Sequence, residues 1–177
     1  MRTRPKQRLM QRESILLFGE GAEDKAWLRH LTSHFANYSV RHVSVECGFG
    51  GSPKDVVYAA QKQIGAYDKR IVILDGDRPP EELERAEHLA SKGNHGFMLI
   101  KPCMEAMQLE VLEPTKRWRT KTSSECKSHF ERSYVPRNRR TTTAAYQAHF
   151  RLETLVGASS YIADLEEIIG WITTLPL

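Results

Sequence analysis

Cysteine is scarce in this chain. Cys47, Cys103 and Cys126 are the only three in 177 residues. Their wide separation matches neither a disulfide framework nor a metal-ligand spacing, so a reducing, cytoplasmic setting is the expectation. Long hydrophobic runs are missing too. No stretch approaches the roughly 20 apolar residues that cross a bilayer, and no membrane partner is expected. The basic start, Met1-Arg2-Thr3-Arg4-Pro5-Lys6-Gln7-Arg8, is not followed by an apolar core of signal-peptide length; residues 1–13 are expected to form a solvated basic arm. Internal repeats and low-complexity tracts are absent, which excludes solenoids and compositionally biased linkers. No glycine cluster matches a phosphate-binding loop or a dinucleotide fingerprint, and Gly48-Phe49-Gly50-Gly51 reads as a flexible turn.

What is present suits one α/β domain with an addition. Apolar residues make up 40% of the chain, enough for a buried core. Ser14–Gly19 is a short apolar run ending in glycine, the pattern of a buried strand. Residues 22–36 repeat apolar positions at helical spacing (Trp27, Leu28, Leu31, Phe35). Alternation over 41–46 predicts a second strand. Ser52-Pro53 opens a helix with a cap and a proline at its first turn, and that helix is expected to reach Tyr67, burying Val56, Val57, Ala60 and Ile64. Arg70–Asp75 is a β-branched strand of the kind buried on both faces, Pro79–Lys92 a polar helix, Gly96–Ile100 a fourth strand. A helix from Pro102 turns Met104, Met107, Leu109 and Leu112 inward. After Pro114 only helices are expected, near 123–133, 140–156 and 160–174. Strands alternating with helices imply a four-stranded parallel sheet flanked by helices, giving a core over 14–113 and a basic loop and helical extension over 114–177.

Charge is unevenly spread. The net charge is +4 and the isoelectric point about 9.0, yet Pro114–Arg151 holds about ten Lys or Arg against two Glu, a bias that suits a polyanion such as DNA or RNA. The acids lie mostly before it, and four of them fall at one place in the topology. In an open parallel sheet, ligands bind beyond the carboxyl ends of the strands. Glu20 follows the first strand, Asp75-Gly76-Asp77 follows the third, and Glu105 lies in the first turn of the helix after the fourth. Carboxylates gathered close together repel each other unless water, a base or a cation sits among them. Oxygen donors of this kind suit Mg²⁺ or Mn²⁺. Glu23 and Asp24 have a simpler account, since acids are favoured in the first turn of a helix; Glu20, before the helix, does not.

Glu20-Gly21 after an apolar strand, followed two strands later by Asp75-Gly76-Asp77, resembles the Toprim domain of topoisomerases, primases and the overcoming-lysogenization-defect nucleases. Gly21-Ala22-Glu23 is similar to the "EGxxE" form of the nuclease branch. Lys101-Pro102-Cys103-Met104-Glu105 and the Cys126-Lys127 pair resemble segments of RloB-like proteins, small Toprim relatives linked to bacterial phage defence. The aromatic residue and histidine that usually follow the first of these segments are replaced here by Ala106–Val111. The resemblance implies a Toprim-like fold and a Mg²⁺-dependent nuclease or related phosphodiester-processing enzyme, working with nucleic acid and with partner proteins of a defence complex. It implies Glu20 as metal ligand or general base, Asp75, Asp77 and Glu105 as metal ligands, and Glu23 or Asp24 as ligands of a second ion.

Other residues are open to two readings. Lys101, at the end of the fourth strand, is placed to hold a phosphate as a point charge, and equally to cap a strand at the surface. Lys116, Arg117, Trp118, Arg119 and Lys121 interleave base with an aromatic, and Lys127, Arg137, Arg139 and Arg140 add further base; grooves of that composition suit nucleic acid, while charged loops are often only solvated. The histidines, including His30 and His34 one helical turn apart, read as surface residues. Three functions compete: a metal-dependent nuclease, a Toprim-like module that binds nucleic acid or protein without cutting, and a phosphatase of the haloacid-dehalogenase type. The last expects a Thr or Val two residues beyond the second aspartate and a later acidic pair, where this chain has Arg78-Pro79-Pro80 and only Asp164.

Overall fold

A computed structural model of the chain describes residues 12–173; most of the expected basic arm, residues 1–11, lies outside them. Four strands, β1 (Ser14–Gly19), β2 (His42–Cys47), β3 (Lys69–Asp75) and β4 (Gly96–Ile100), form an all-parallel sheet in the order β2-β1-β3-β4. The helices between them are α1 (Ala22–Phe35), α2 (Pro53–Lys62) and α3 (Pro80–Lys92), and α4 (Met104–Leu112) follows β4. Beyond them come α5 (Ser123–Ser133), α6 (Ala144–Gln147), α7 (Leu152–Ser159) and α8 (Ala163–Ile172). The parallel α/β architecture with helices on both faces agrees with the sequence expectation.

The central strands are buried on both faces, and the period of two sorts their side chains. Ile15, Leu17, Ile71 and Ile73 face a large core with Trp27, Leu31 and Phe35 of α1. Leu16, Phe18, Val72 and Leu74 face a smaller core under α2 and α3. α4 is buried nearly all round, Met104 through Leu109 and Val111 included, which only works if something covers its far side. α5 and α7 do so, and Phe130, Tyr146, Phe150, Leu155 and Ile168 join the same large core. The change in composition at Pro114 is therefore not a break in packing.

Some element ends differ from expectation. α2 stops at Lys62, where Gln63 turns to φ −59°, ψ 122°, and Ile64 is 93% exposed instead of buried. The single helix expected over 140–156 is two, because the chain turns near Phe150, whose carbonyl accepts the His30 Nε2–H at 2.8 Å. His30 is thus a core residue, 0% exposed, and not the surface residue its spacing suggested. Among the described residues, no helix is long and apolar enough to cross a membrane.

Candidate functional site

The carboxyl ends of β1 and β3 open into a cavity of about 440 Å³. Glu20, Glu23, Asp24, Asp75, Glu105 and Glu131 line it, together with Lys127, Arg137 and Arg140. Five of the six acids singled out as metal ligands thus share one hollow. Asp77 does not line it, but touches Lys127, which does.

Backbone contacts fix the acids. The Asp75 N–H donates to Glu20 Oε1 at 2.9 Å, tying the end of β1 to the end of β3. Asp75 Oδ1 accepts the Met104 N–H at 2.8 Å, so this carboxylate also sits at the positive end of α4. Asp24 Oδ2 accepts from the backbone N–H groups of Glu20 and Gly21 at 2.9 and 3.1 Å. Gly19 makes that loop possible, because a Cβ there would stand 2.5 Å from Asp24 Cβ. Gly76 plays a similar part in the DxD turn, where a Cβ would meet Lys101 Cγ at 2.6 Å.

Two basic side chains stand among the acids. Lys127 Nζ bridges Asp75 Oδ2 at 2.8 Å and Asp77 Oδ2 at 3.2 Å. Burial alone would lower the lysine's pKa, but the two aspartates override it and raise it above its ordinary value. Arg140, 6% exposed, pairs through Nη2 with Glu23 Oε2 at 2.9 Å and with Glu105 Oε1. Phe130 lies under the Arg140 guanidinium, and the Arg140 carbonyl accepts the Tyr146 hydroxyl.

A hard divalent cation was the expected occupant, and the donor set fits one in part. All the donors are oxygens, and the acids outnumber the bases by six to three. Glu105 Oε2 is buried without a hydrogen-bond partner among the described residues. Burial first, and then Asp75, push the Glu20 carboxyl above its usual range. Burial, Asp75 and Glu20 push Asp24 up to about 7. These are signs of negative charge short of compensation. As they stand, no three His, Cys, Asp or Glu side chains among the described residues are gathered closely enough to hold a metal, and Lys127 and Arg140 are the cations at hand.

The remaining basic residues are dispersed. Lys101 lines a different cavity, of about 430 Å³, with Glu110, Arg119 and Asp164. Arg119 is held by Glu110 and Asp164 at 2.7 and 2.6 Å, Lys116 by Glu113 at 2.9 Å, and Lys121 by Glu125 at 3.8 Å. Trp118, expected as an open stacking platform, is 7% exposed, packed at 4.6 Å on the His129 ring with Lys116 over it. Arg140, expected at a nucleic-acid surface, is buried by its two glutamates. Arg117, Arg137 and Arg139 are exposed and make no ion pair among the described residues, and of these Arg137 lines the cavity. Sequence reasoning named both bridging cations, but as nucleic-acid contacts and not as partners of the acids.

The comparisons with known proteins leave this geometry to stand by itself: no family model, no curated protein and no solved structure matches the chain.

Proposed function

We propose that the protein is a Mg²⁺- or Mn²⁺-dependent nuclease with a Toprim-like core and a basic helical extension, cutting phosphodiester bonds of DNA or RNA. The observation that carries this reading is the meeting of Glu20, Asp24, Asp75 and Glu105 in one cavity at the carboxyl edge of a parallel sheet, beside Lys127 and Arg137. Ligand sites in such folds lie at that edge, and a carboxyl raised toward neutrality in a cleft marks a candidate acid–base group.

Asp75, Asp77 and Glu105 would hold the ion, with Glu23 or Asp24 serving a second, and a bound ion would neutralise developing charge on the phosphate and lower the pKa of water. Glu20 is the general base. The Asp75 N–H orients its carboxylate, and its raised pKa lets it take a proton from water and pass it on. Lys127 and Arg137 contact phosphate oxygens, Lys127 as a point charge and Arg137 in a planar fork. Arg140 touches no substrate; it keeps Glu23 and Glu105 in place.

The test is thermal unfolding against Mn²⁺ concentration. A ligand that binds only the folded state raises its melting temperature by mass action, and Asp75→Ala with Asp77→Ala should remove that rise while the apo protein stays folded.

A second reading has an observation of its own. With Lys127 seated on both aspartates and Arg140 on two glutamates, a non-catalytic module that binds nucleic acid or a protein partner needs no metal. It would show nucleic-acid binding without a Mn²⁺ response or cleavage.

A further inference from the structure

The cation at the Asp75/Asp77 pair belongs to the chain itself. Lys127 Nζ lies between Asp75 Oδ2 and Asp77 Oδ2, and the other oxygen of Asp75 is taken by the Met104 N–H. Each oxygen of Asp75 thus already accepts one hydrogen bond, and a metal at the Asp75/Asp77 pair would have to share it with the Lys127 ammonium. In the same cavity, Glu105 is 4% exposed and its Oε2 has no hydrogen-bond partner among the described residues. The hollow thus offers an unsatisfied buried donor next to donors that are engaged.

Resting on the nuclease reading, we propose that Lys127 is a displaceable counter-ion. It holds Asp75 and Asp77 in the metal-free protein, yields them to a divalent cation, and then presents its ammonium to a phosphate of the incoming strand. One positive charge on two carboxylates leaves a negative charge over, whereas a dication matches both. The lysine stem is flexible and carries three rotatable donors, so the head group can swing while α5 stays packed. Its side chain is 39% exposed, so the freed ammonium returns to water or phosphate without being stranded in the core. Metal and phosphate then reinforce each other: the metal frees the lysine, and the phosphate keeps it away. Such coupling is reciprocal by linkage.

Calorimetric titration of the full chain with Mn²⁺ alone tests the first half. Lys127→Gln should tighten Mn²⁺ binding about tenfold, the gain from removing a competitor worth one decade of affinity. Lys127→Arg, which keeps a cation at the pair, should stay near wild type. Arg137→Gln controls for the general field of the cavity, since Arg137 has no ion pair to release among the described residues, and should change affinity less than about threefold. Equal tightening by Lys127→Gln and Arg137→Gln, or no tightening by Lys127→Gln, overturns the proposal and leaves the nuclease reading standing if the wild type binds Mn²⁺. No Mn²⁺ binding by any variant overturns both. The second half is read on a Glu20→Gln background with a mixed-sequence single-stranded oligonucleotide. Mn²⁺ should tighten its binding, and Lys127→Gln should remove most of that gain; an undiminished gain sinks the phosphate role.

Discussion

Arg140 sits with its guanidinium against Glu23 and Glu105 and 6% of its surface exposed. Removing one partner of a buried pair strands the other charge, so Arg140→Ala should destabilise the fold by about 3–5 kcal/mol, measured by denaturant unfolding. Arg139→Ala, one residue away and exposed, should stay within about 0.5 kcal/mol. The two differ in nucleic-acid binding as well. Arg137 and Arg139 face water, and replacing both should flatten the salt dependence of binding by roughly 0.7–0.9 in log–log slope per lost phosphate contact. Glu20→Gln keeps the hydrogen bond from Asp75 and the shape of the side chain, yet loses the base. Cleavage should fall by about two orders of magnitude or more with the melting temperature little changed; full activity would remove Glu20 from the mechanism. At this scale the acids were legible because each follows a strand or opens a helix, positions that topology brings together. The bridges were not, because Lys127 and Arg140 are far from their partners in sequence, and a run of base looks the same whether it meets water or carboxylate.

The helix α1 carries two pieces of the molecule's chemistry on one element. At its start, Asp24 lies in the first turn, accepts backbone N–H groups and stands in the cavity, so a place near the helix N-terminus is not its whole account. One turn short of its end, His30 donates to the Phe150 carbonyl and lies at 4.7 Å, edge to face, from His34. Burial, and to a lesser degree His34, depress its pKa to about 4 against the hydrogen bond it donates to the Phe150 carbonyl. The unfolded chain binds that proton near pH 6.5, and the native chain refuses it until about pH 4. Stability is therefore fully present above about pH 6.5 and declines as pH falls toward 4, by roughly 3 kcal/mol for this group. Urea unfolding at pH 7 and pH 5 should show the loss, and His30→Gln should flatten it. Strands were easier to read than helix ends. Ile15, Leu16, Leu17 and Phe18 are all buried because both sheet faces are covered, and an apolar run with flanking glycine signals that directly. The break between α6 and α7 left no such trace, and the Phe150 carbonyl exposed there meets a histidine far away in sequence.

Across the whole molecule, the segment after Pro114 covers the helix that the first half leaves bare. α4 is apolar on nearly every side, and α5 and α7 lie on it. Glu113 at its end accepts the Tyr134 hydroxyl at 2.7 Å and bonds His129 at 3.0 Å. Those bonds and Lys116 hold its carboxyl at about 2 in spite of burial, clipping the two halves together. The same segment brings Lys127, Arg137 and Arg140 over the acids of the first half, so cavity and core share one wall. The composition change at Pro114 was visible in the sequence, but composition reports what faces water and says little about what packs beneath. Two measurements follow. Phe130→Ala, which removes a fully buried ring from the shared core, should cost about 3–5 kcal/mol. A fragment of residues 1–113 would uncover Trp27, which packs on Tyr146 and Phe150, and the outer face of α4, and it should show no cooperative thermal transition and no metal-linked rise in melting temperature. A fragment that melts cooperatively by itself would show that the core closes without the tail, and that Lys127 and Arg140 are visitors to a site already built.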